Sequence, residues 1–261
     1  MSERECVRAR LARGEAVIGT MVFEFFTPGL PAILAAAGLD FAVLDTEHSG
    51  VGIDTLKTVL ACGRGLPIEL YVRVPEKSYA AVATVLDAGA RGILVPMLET
   101  PEEARALVAW ARYRPEGRRG CAFGMAHDDY RARDVRAYMA EANRRNLVMG
   151  LIETRKGIEN VEAIAATAGL DVLWLGHFDL TDDMGITAQF EHPDFWAAVD
   201  RLVAAAKAHG KALAAADANL GYLEKLRARG FRMLGFGPDV AVLREGLREA
   251  ASKLATAAGA G

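Results

Sequence analysis

Short apolar runs alternate along the whole chain with longer segments in which apolar residues recur at helical spacing. The short runs occupy 17–22, 41–44, 68–74, 92–97, 147–152, 172–175, 212–216 and 231–236. Continuous apolar runs of this length predict strands buried on both faces, as in a parallel sheet. The intervening segments 30–37, 53–62, 78–88, 101–111, 158–168, 193–208, 220–229 and 240–255 predict helices. Gly38, Gly63, Gly89, Gly169, Gly210 and Gly230 stand at helix ends, where glycine takes a left-handed conformation at least cost. Thr100-Pro101-Glu102-Glu103 reads as an N-cap followed by proline and acids in the first turn.

Eight strand–helix units in 261 residues predict a TIM (β/α)8 barrel, because an open sheet has no geometric reason to stop at eight repeats. No linker or shift in composition divides the chain, so residues 1–261 are expected to form one domain. Residues 2–13 read as a short extra helix covering one barrel mouth. The stretch 113–145 exceeds an ordinary connection and reads as a lid or a subunit contact. Residues 257–261 are expected to fray.

Composition narrows the class of protein. A content of 52% hydrophobic and 25% charged residues supports an ordinary core, and 7% aromatic residues make it mainly aliphatic. The formal charge of −3 supplies no field to gather nucleic acid or anionic lipid. No apolar run reaches the length of a membrane span, and the first ten residues mix acids and bases where a signal peptide would need an apolar stretch. A cytoplasmic protein with neither nucleic acid nor membrane as partner is expected. Cys6, Cys62 and Cys121 have neither zinc-ligand spacing nor a disulfide framework.

Candidate chemistry lies where the strands end. In a parallel barrel, catalytic groups sit at the C-terminal strand ends, which here carry Asp45, Glu47, His48, Arg73, Glu153, Asp179 and Asp217. Glu153 and Asp179 end the fifth and sixth predicted strands, so both can reach one hard divalent cation such as Mg2+, Mn2+ or Co2+. A 2-oxo acid fits the positions left open, since its carboxylate and keto oxygens chelate side by side and its methyl then loses a proton to form an enolate. Arg73 offers a fixed positive fork to the enolate or the carboxylate, and His48, its tautomer set by Asp45, reads as the general base. Glu47 reads equally as a supporting acid or a solvated charge, and Asp217 as a helix N-cap near Leu220. The His127-Asp128-Asp129 run has metal-ligand chemistry but also the character of a turn, and His177 could add a ligand or a donor.

A Schiff-base aldolase would need a lysine buried in the barrel wall. Lys57, Lys77, Lys207, Lys225 and Lys253 fall on or at the start of helices, Lys211 opens a strand at the opposite end, and only Lys156 lies near the active mouth. Other enolate chemistry on the same barrel, acyl-CoA lysis or carbon–phosphorus cleavage of the phosphonopyruvate type, stays open. A non-catalytic binding protein would have no need of these residues at converging strand ends.

Six elements in order resemble those of the HpcH/HpaI aldolases, metal-dependent pyruvate aldolases with a TIM-barrel fold. They are Leu44-Asp45-Thr46-Glu47-His48, Val72-Arg73-Val74-Pro75, Leu94-Val95-Pro96-Met97, the run from Tyr113 to Gly120, Ile152-Glu153-Thr154, and Gly176-His177-Phe178-Asp179-Leu180. The resemblance implies reversible cleavage of a 4-hydroxy-2-oxo acid of the 2-keto-3-deoxy sugar acid type into pyruvate or hydroxypyruvate and an aldehyde. It implies that Glu153 and Asp179 bind the metal, His48 with Asp45 handles the proton, and Arg73 stabilises the enolate. Backbone around Gly176, Phe178 and Asp179 is implied to hold the substrate carboxylate. A homo-oligomer, trimer or hexamer, that trades C-terminal helices is implied as well, so 240–255 is expected to pack on a neighbour. Met21 stands where the family often has tryptophan, and His177-Phe178 replaces its Pro-Ala, which leaves the aldehyde open.

Overall fold

Eight parallel strands close into a barrel in chain order: β1 (Val17–Val22), β2 (Phe41–Asp45), β3 (Glu69–Arg73), β4 (Gly92–Val95), β5 (Leu147–Ile152), β6 (Val172–Leu175), β7 (Ala212–Asp217) and β8 (Met233–Phe236). The computed structural model describes residues 5–131 and 134–258. Closure runs through the pairing of Val17–Gly19 of β1 with Met233–Gly235 of β8. Alternate residues face opposite ways along each strand. Phe41 and Val43 of β2 therefore join the barrel interior with Tyr71, Met149 and Trp174, while Ala42 and Leu44 pack outward against the helix layer. Both faces are buried, which is why the sequence shows unbroken apolar runs rather than alternation.

The predicted strands all form, with ends shifted by a few residues. The helices between them are α2 (Leu30–Ala36), α3 (Ile53–Cys62), α4 (Tyr79–Ala88), α5 (Pro101–Ala111), α10 (Pro193–Ala208), α11 (Leu220–Ala228) and α12 (Asp239–Ala258). Thr100 caps α5 reciprocally with Glu103, as the Thr-Pro-Glu-Glu pattern requires. The segment expected as one helix over 158–168 starts earlier and divides into α7 (Arg155–Glu159) and α8 (Val161–Ala165). Asn160 separates them and donates its side-chain amide to Glu99 O at 2.9 Å.

The N-terminal helix α1 (Val7–Ala12) buries Val7 and Leu11 against the interior cluster at the N-terminal mouth, opposite the site described below. There Arg10 pairs with Asp40 and the Val7 N–H donates to Glu69 at 2.9 Å. Residues 2–4 of this expected helix, and 259–261 of the tail expected to fray, lie outside the described residues. The stretch 113–145 is not a bare loop, because it contains a 3-10 turn at Ala126–Asp128 and the helix α6 (Val135–Arg145), capped by Asp134. Among the described residues, no helix is long and apolar enough to cross a membrane.

Candidate active site

Glu153 follows β5 directly and is 4% exposed. One of its oxygens accepts the Met97 N–H at 2.7 Å. That contact requires Met97, just past β4, to adopt a φ of 54°, a left-handed conformation costly for a side chain of this size. The same Met97 offers its carbonyl to Lys77 Nζ at 2.7 Å, and Lys77 is held in turn by Glu103. The other Glu153 oxygen lies against Gly176, where an added Cβ would approach it to 2.5 Å. Only glycine there leaves the carboxylate its place.

Burial is the main reason that the Glu153 carboxyl is pushed up to about 7. The Met97 N–H and Arg73 oppose the rise, whereas the Asp179 and Glu47 carboxylates reinforce it. Glu47 is also raised, first by burial, with Arg73 and His48 opposing and Asp45 and Asp179 adding to the shift. One Glu47 oxygen is buried without a hydrogen bond, standing 3.2 Å from Arg73 Nη1. Four carboxylates, those of Glu153, Asp179, Glu47 and Asp45, thus lie in one another's fields with the single guanidinium of Arg73 among them, an imbalance that a hard cation would relieve. Among the described residues, no three His, Cys, Asp or Glu side chains converge tightly enough to enclose an ion. The donor set suits a cation held on few protein oxygens, with water or substrate completing the shell, as Mg2+ prefers.

Asp179 does not end a strand. The β6 ladder stops at Leu175, Gly176 turns the chain, and Asp179 lies exposed in the first turn of the short helix α9 (His177–Asp183). Phe178 beside it is 57% exposed. His177 is buried and fixed by Asp217, at the end of β7, through a 2.8 Å contact from Nε2 to the carboxylate. Its ring lies against Phe178, Phe190 and Tyr222. The N-cap of α11 is Asn219, not Asp217.

Arg73, the last residue of β3, points its Nε at the fully buried Asp45 carboxylate. The second Asp45 oxygen accepts the backbone N–H of His48 at 2.6 Å. Asp45 therefore does not orient the His48 ring, as the spacing had suggested, because both its oxygens are engaged by Arg73 and the turn that carries the histidine. The imidazole, 60% exposed, has Glu47 as its nearest carboxylate, 3.7 Å away. The Phe23 ring, just past β1, stands 5.5 Å from the Arg73 guanidinium.

The run His127-Asp128-Asp129 is a turn within the long connection. His127 bonds Tyr138 Oη at 2.7 Å and Ala122 O at 2.8 Å, and Asp128 accepts the Gly124 N–H at 2.6 Å. Lys156 is exposed and pairs with Glu99 at 3.1 Å, so it lacks the burial a Schiff-base lysine needs. Phe23 was missed in the sequence, and Met97 was read there only as the end of the fourth strand's element. Phe23 had a signal, an aromatic residue just beyond a strand's C-terminal end, whereas nothing in the residue type announces a left-handed methionine.

The chain matches the family model described as HpcH/HpaI aldolase/citrate lyase over residues 21–246. It is 32% identical to a hydroxypyruvate/pyruvate aldolase of Roseovarius nubinhibens over 95% of this chain and 96% of that protein. It is 36% identical to a 5-keto-4-deoxy-D-glucarate aldolase of Salmonella arizonae over 86% of this chain and 87% of that protein. An HpcH/HpaI aldolase from Desulfitobacterium hafniense superposes with a TM-score of 0.91 at 28% identity, covering 96% of this chain and 97% of that one.

Proposed function

We propose, from the premise that this chain belongs to the HpcH/HpaI aldolase/citrate lyase family, that it cleaves a 4-hydroxy-2-oxo acid reversibly into pyruvate or hydroxypyruvate and an aldehyde with the help of a divalent cation. The protein is an aldolase, and relatives named for hydroxypyruvate, pyruvate and a deoxy keto sugar acid support that substrate class. The observation that carries the metal-dependent reading is the buried Glu153, raised to about 7 beside Asp179 and Glu47. Glu153 and Asp179 would hold the ion, Mg2+, Mn2+ or Co2+, whose oxygen-preferring chemistry these carboxylates match. When bound, the ion would polarise the substrate carbonyl and favour the enolate.

The chain's own residues supply the rest. In the cleavage direction the bond between C3 and C4 breaks, the 4-hydroxyl proton leaves to a base, and the bonding pair becomes the enolate of the 2-oxo acid. His48, exposed at the mouth, is the proton carrier of this reading. Arg73 faces the developing negative charge, held in place by Asp45. The first N–H groups of α9, at Phe178 and Asp179, lack intrahelical acceptors, as at any helix start, and are assigned to the substrate carboxylate. Gly176 keeps that turn flush against Glu153.

Proton NMR of pyruvate in heavy water tests the assignment. Loss of the methyl signal that requires protein and is stopped by a chelator is expected. An unchanged signal at high protein concentration, with diamagnetic Mg2+ supplied, would sink it.

We also propose that the chain works as a homo-oligomer, a trimer or hexamer. Val242, Leu243, Leu247 and Leu254 of α12 are exposed at 46–72%, an apolar stripe a second copy of the chain would cover. Light scattering should give a mass several times 28.0 kDa, and a monomer at micromolar concentration would refute this. Residues 1–261 are read as one domain and the protein as cytoplasmic, a reading that the spacing of Cys6, Cys62 and Cys121, which fits no disulfide framework, supports.

A further inference from the structure

Asp239, the first residue of α12, stands outside every role assigned so far, yet its carboxylate gathers an unusual set of donors. One oxygen accepts the Phe23 N–H at 3.0 Å and its own helix's Val240 N–H at 2.9 Å. The other accepts the N–H groups of Glu24 at 3.1 Å and Phe25 at 2.8 Å. Three successive amides of the β1–α2 loop thus converge on one carboxylate, a concave backbone arrangement that favours an anion. Successive N–H groups seldom point the same way, so the loop conformation and the carboxylate specify each other.

That loop carries the Phe23 ring to 5.5 Å from the Arg73 guanidinium. Arg73 is already gripped at Nε by Asp45 and at Nη1 by Glu47. The aromatic face covers the guanidinium, limiting its rotamers and its access to water, and contributes a cation–π attraction. A chain of contacts therefore runs from the start of α12 through residues 23–25 to the group that faces the enolate. We infer that Asp239 is a positioning residue for the aldol reaction, acting through Phe23 on Arg73. The inference rests on the reading of Arg73 as the group facing the enolate.

Its test uses the full-length protein with Mg2+, reading methyl exchange of pyruvate per folded molecule, together with hydrogen exchange of amides 23–25. Asp239→Asn and Phe23→Leu should each slow methyl exchange by about tenfold, the scale expected when a catalytic group is displaced by a fraction of an ångström. The double variant should be no slower than the worse single one, because both act on the same contact. Phe23→Tyr, which keeps the ring face, should stay within about twofold of wild type. Amides 23–25 should lose protection in Asp239→Asn and keep it in Phe23→Leu. A mere structural latch predicts instead that the two losses multiply, and that outcome, or a folded Asp239→Asn with the wild-type rate, overturns the inference. If the wild type exchanges nothing while amides 23–25 respond as expected, it is the aldolase reading that fails, and with it any positioning role for Asp239.

Discussion

Glu153→Ala is expected to slow methyl exchange of pyruvate by about 10³-fold, the equivalent of the several kcal/mol that a Lewis acid supplies. It should also remove Mn2+ binding as followed by calorimetry. The expectation follows from where the side chain sits. Glu153 is 4% exposed, braced by the Met97 N–H and confined by Gly176, so its carboxylate is held in one place. The pH dependence has a definite sign. The Glu153 carboxyl titrates near its ordinary 4.5 in the unfolded chain and at about 7 in the metal-free fold. Between these values the folded protein holds a proton that the unfolded chain has lost, so metal-free stability falls as pH rises through this window. Cation binding expels that proton and should strengthen with pH over the same range. In the Ala variant cation binding and its pH dependence should be lost, and the fall of metal-free stability should shrink to the part that Glu47, also raised by burial, contributes. Mn2+ bound by Glu153→Ala with wild-type affinity would show that the ion sits elsewhere.

Asp45→Ala should be the most damaging substitution for stability, costing about 3–5 kcal/mol, because it strands a buried arginine without its counter-ion. Asp45 is fully buried and Arg73 only 8% exposed, so water cannot replace the lost carboxylate. The His48 N–H loses its acceptor in the same step, loosening the turn that presents the imidazole. Urea titration should show a lowered midpoint at unchanged slope, with methyl exchange also lost in the folded fraction. An Asp45→Ala protein as stable as wild type would mean that the Arg73 guanidinium finds another partner. It would then displace Asp45 from the role given to it here, which is to hold Arg73 rather than to tune His48.

Elements whose burial shows in their own residues were legible. The strands are apolar on both faces, and α5 announces its start through Thr100 and Glu103. Missed elements had weaker signatures. Helix α6 carries four charged residues in Val135–Arg145, and only Tyr138, Ala142 and Asn143 are buried, so its apolar stripe is narrow. Its N-cap, Asp134, was the available signal. Helix α9 was missed because Phe178 prolongs the apolar run from Val172 to Asp179, so Asp179 read as a strand end, whereas Gly176 breaks the run. The pairing of Asp45 with Arg73 rather than with the His48 ring joins residues 28 apart through adjacent strands, a relation that spacing along one strand end cannot express.

The order of strands and helices, the barrel they close and the strand ends where the candidate acids, histidine and arginine collect were determined by the sequence alone. Each follows from local periodicity and from the one topology that eight parallel units favour. Tertiary structure decided the rest: which carboxylate meets Arg73, how far Glu153 is pushed toward neutrality, and why Asp239, 216 residues from Phe23, holds the loop beside the site. Those outcomes depend on distances and burial between segments remote in sequence, where desolvation and charge act through space rather than along the chain.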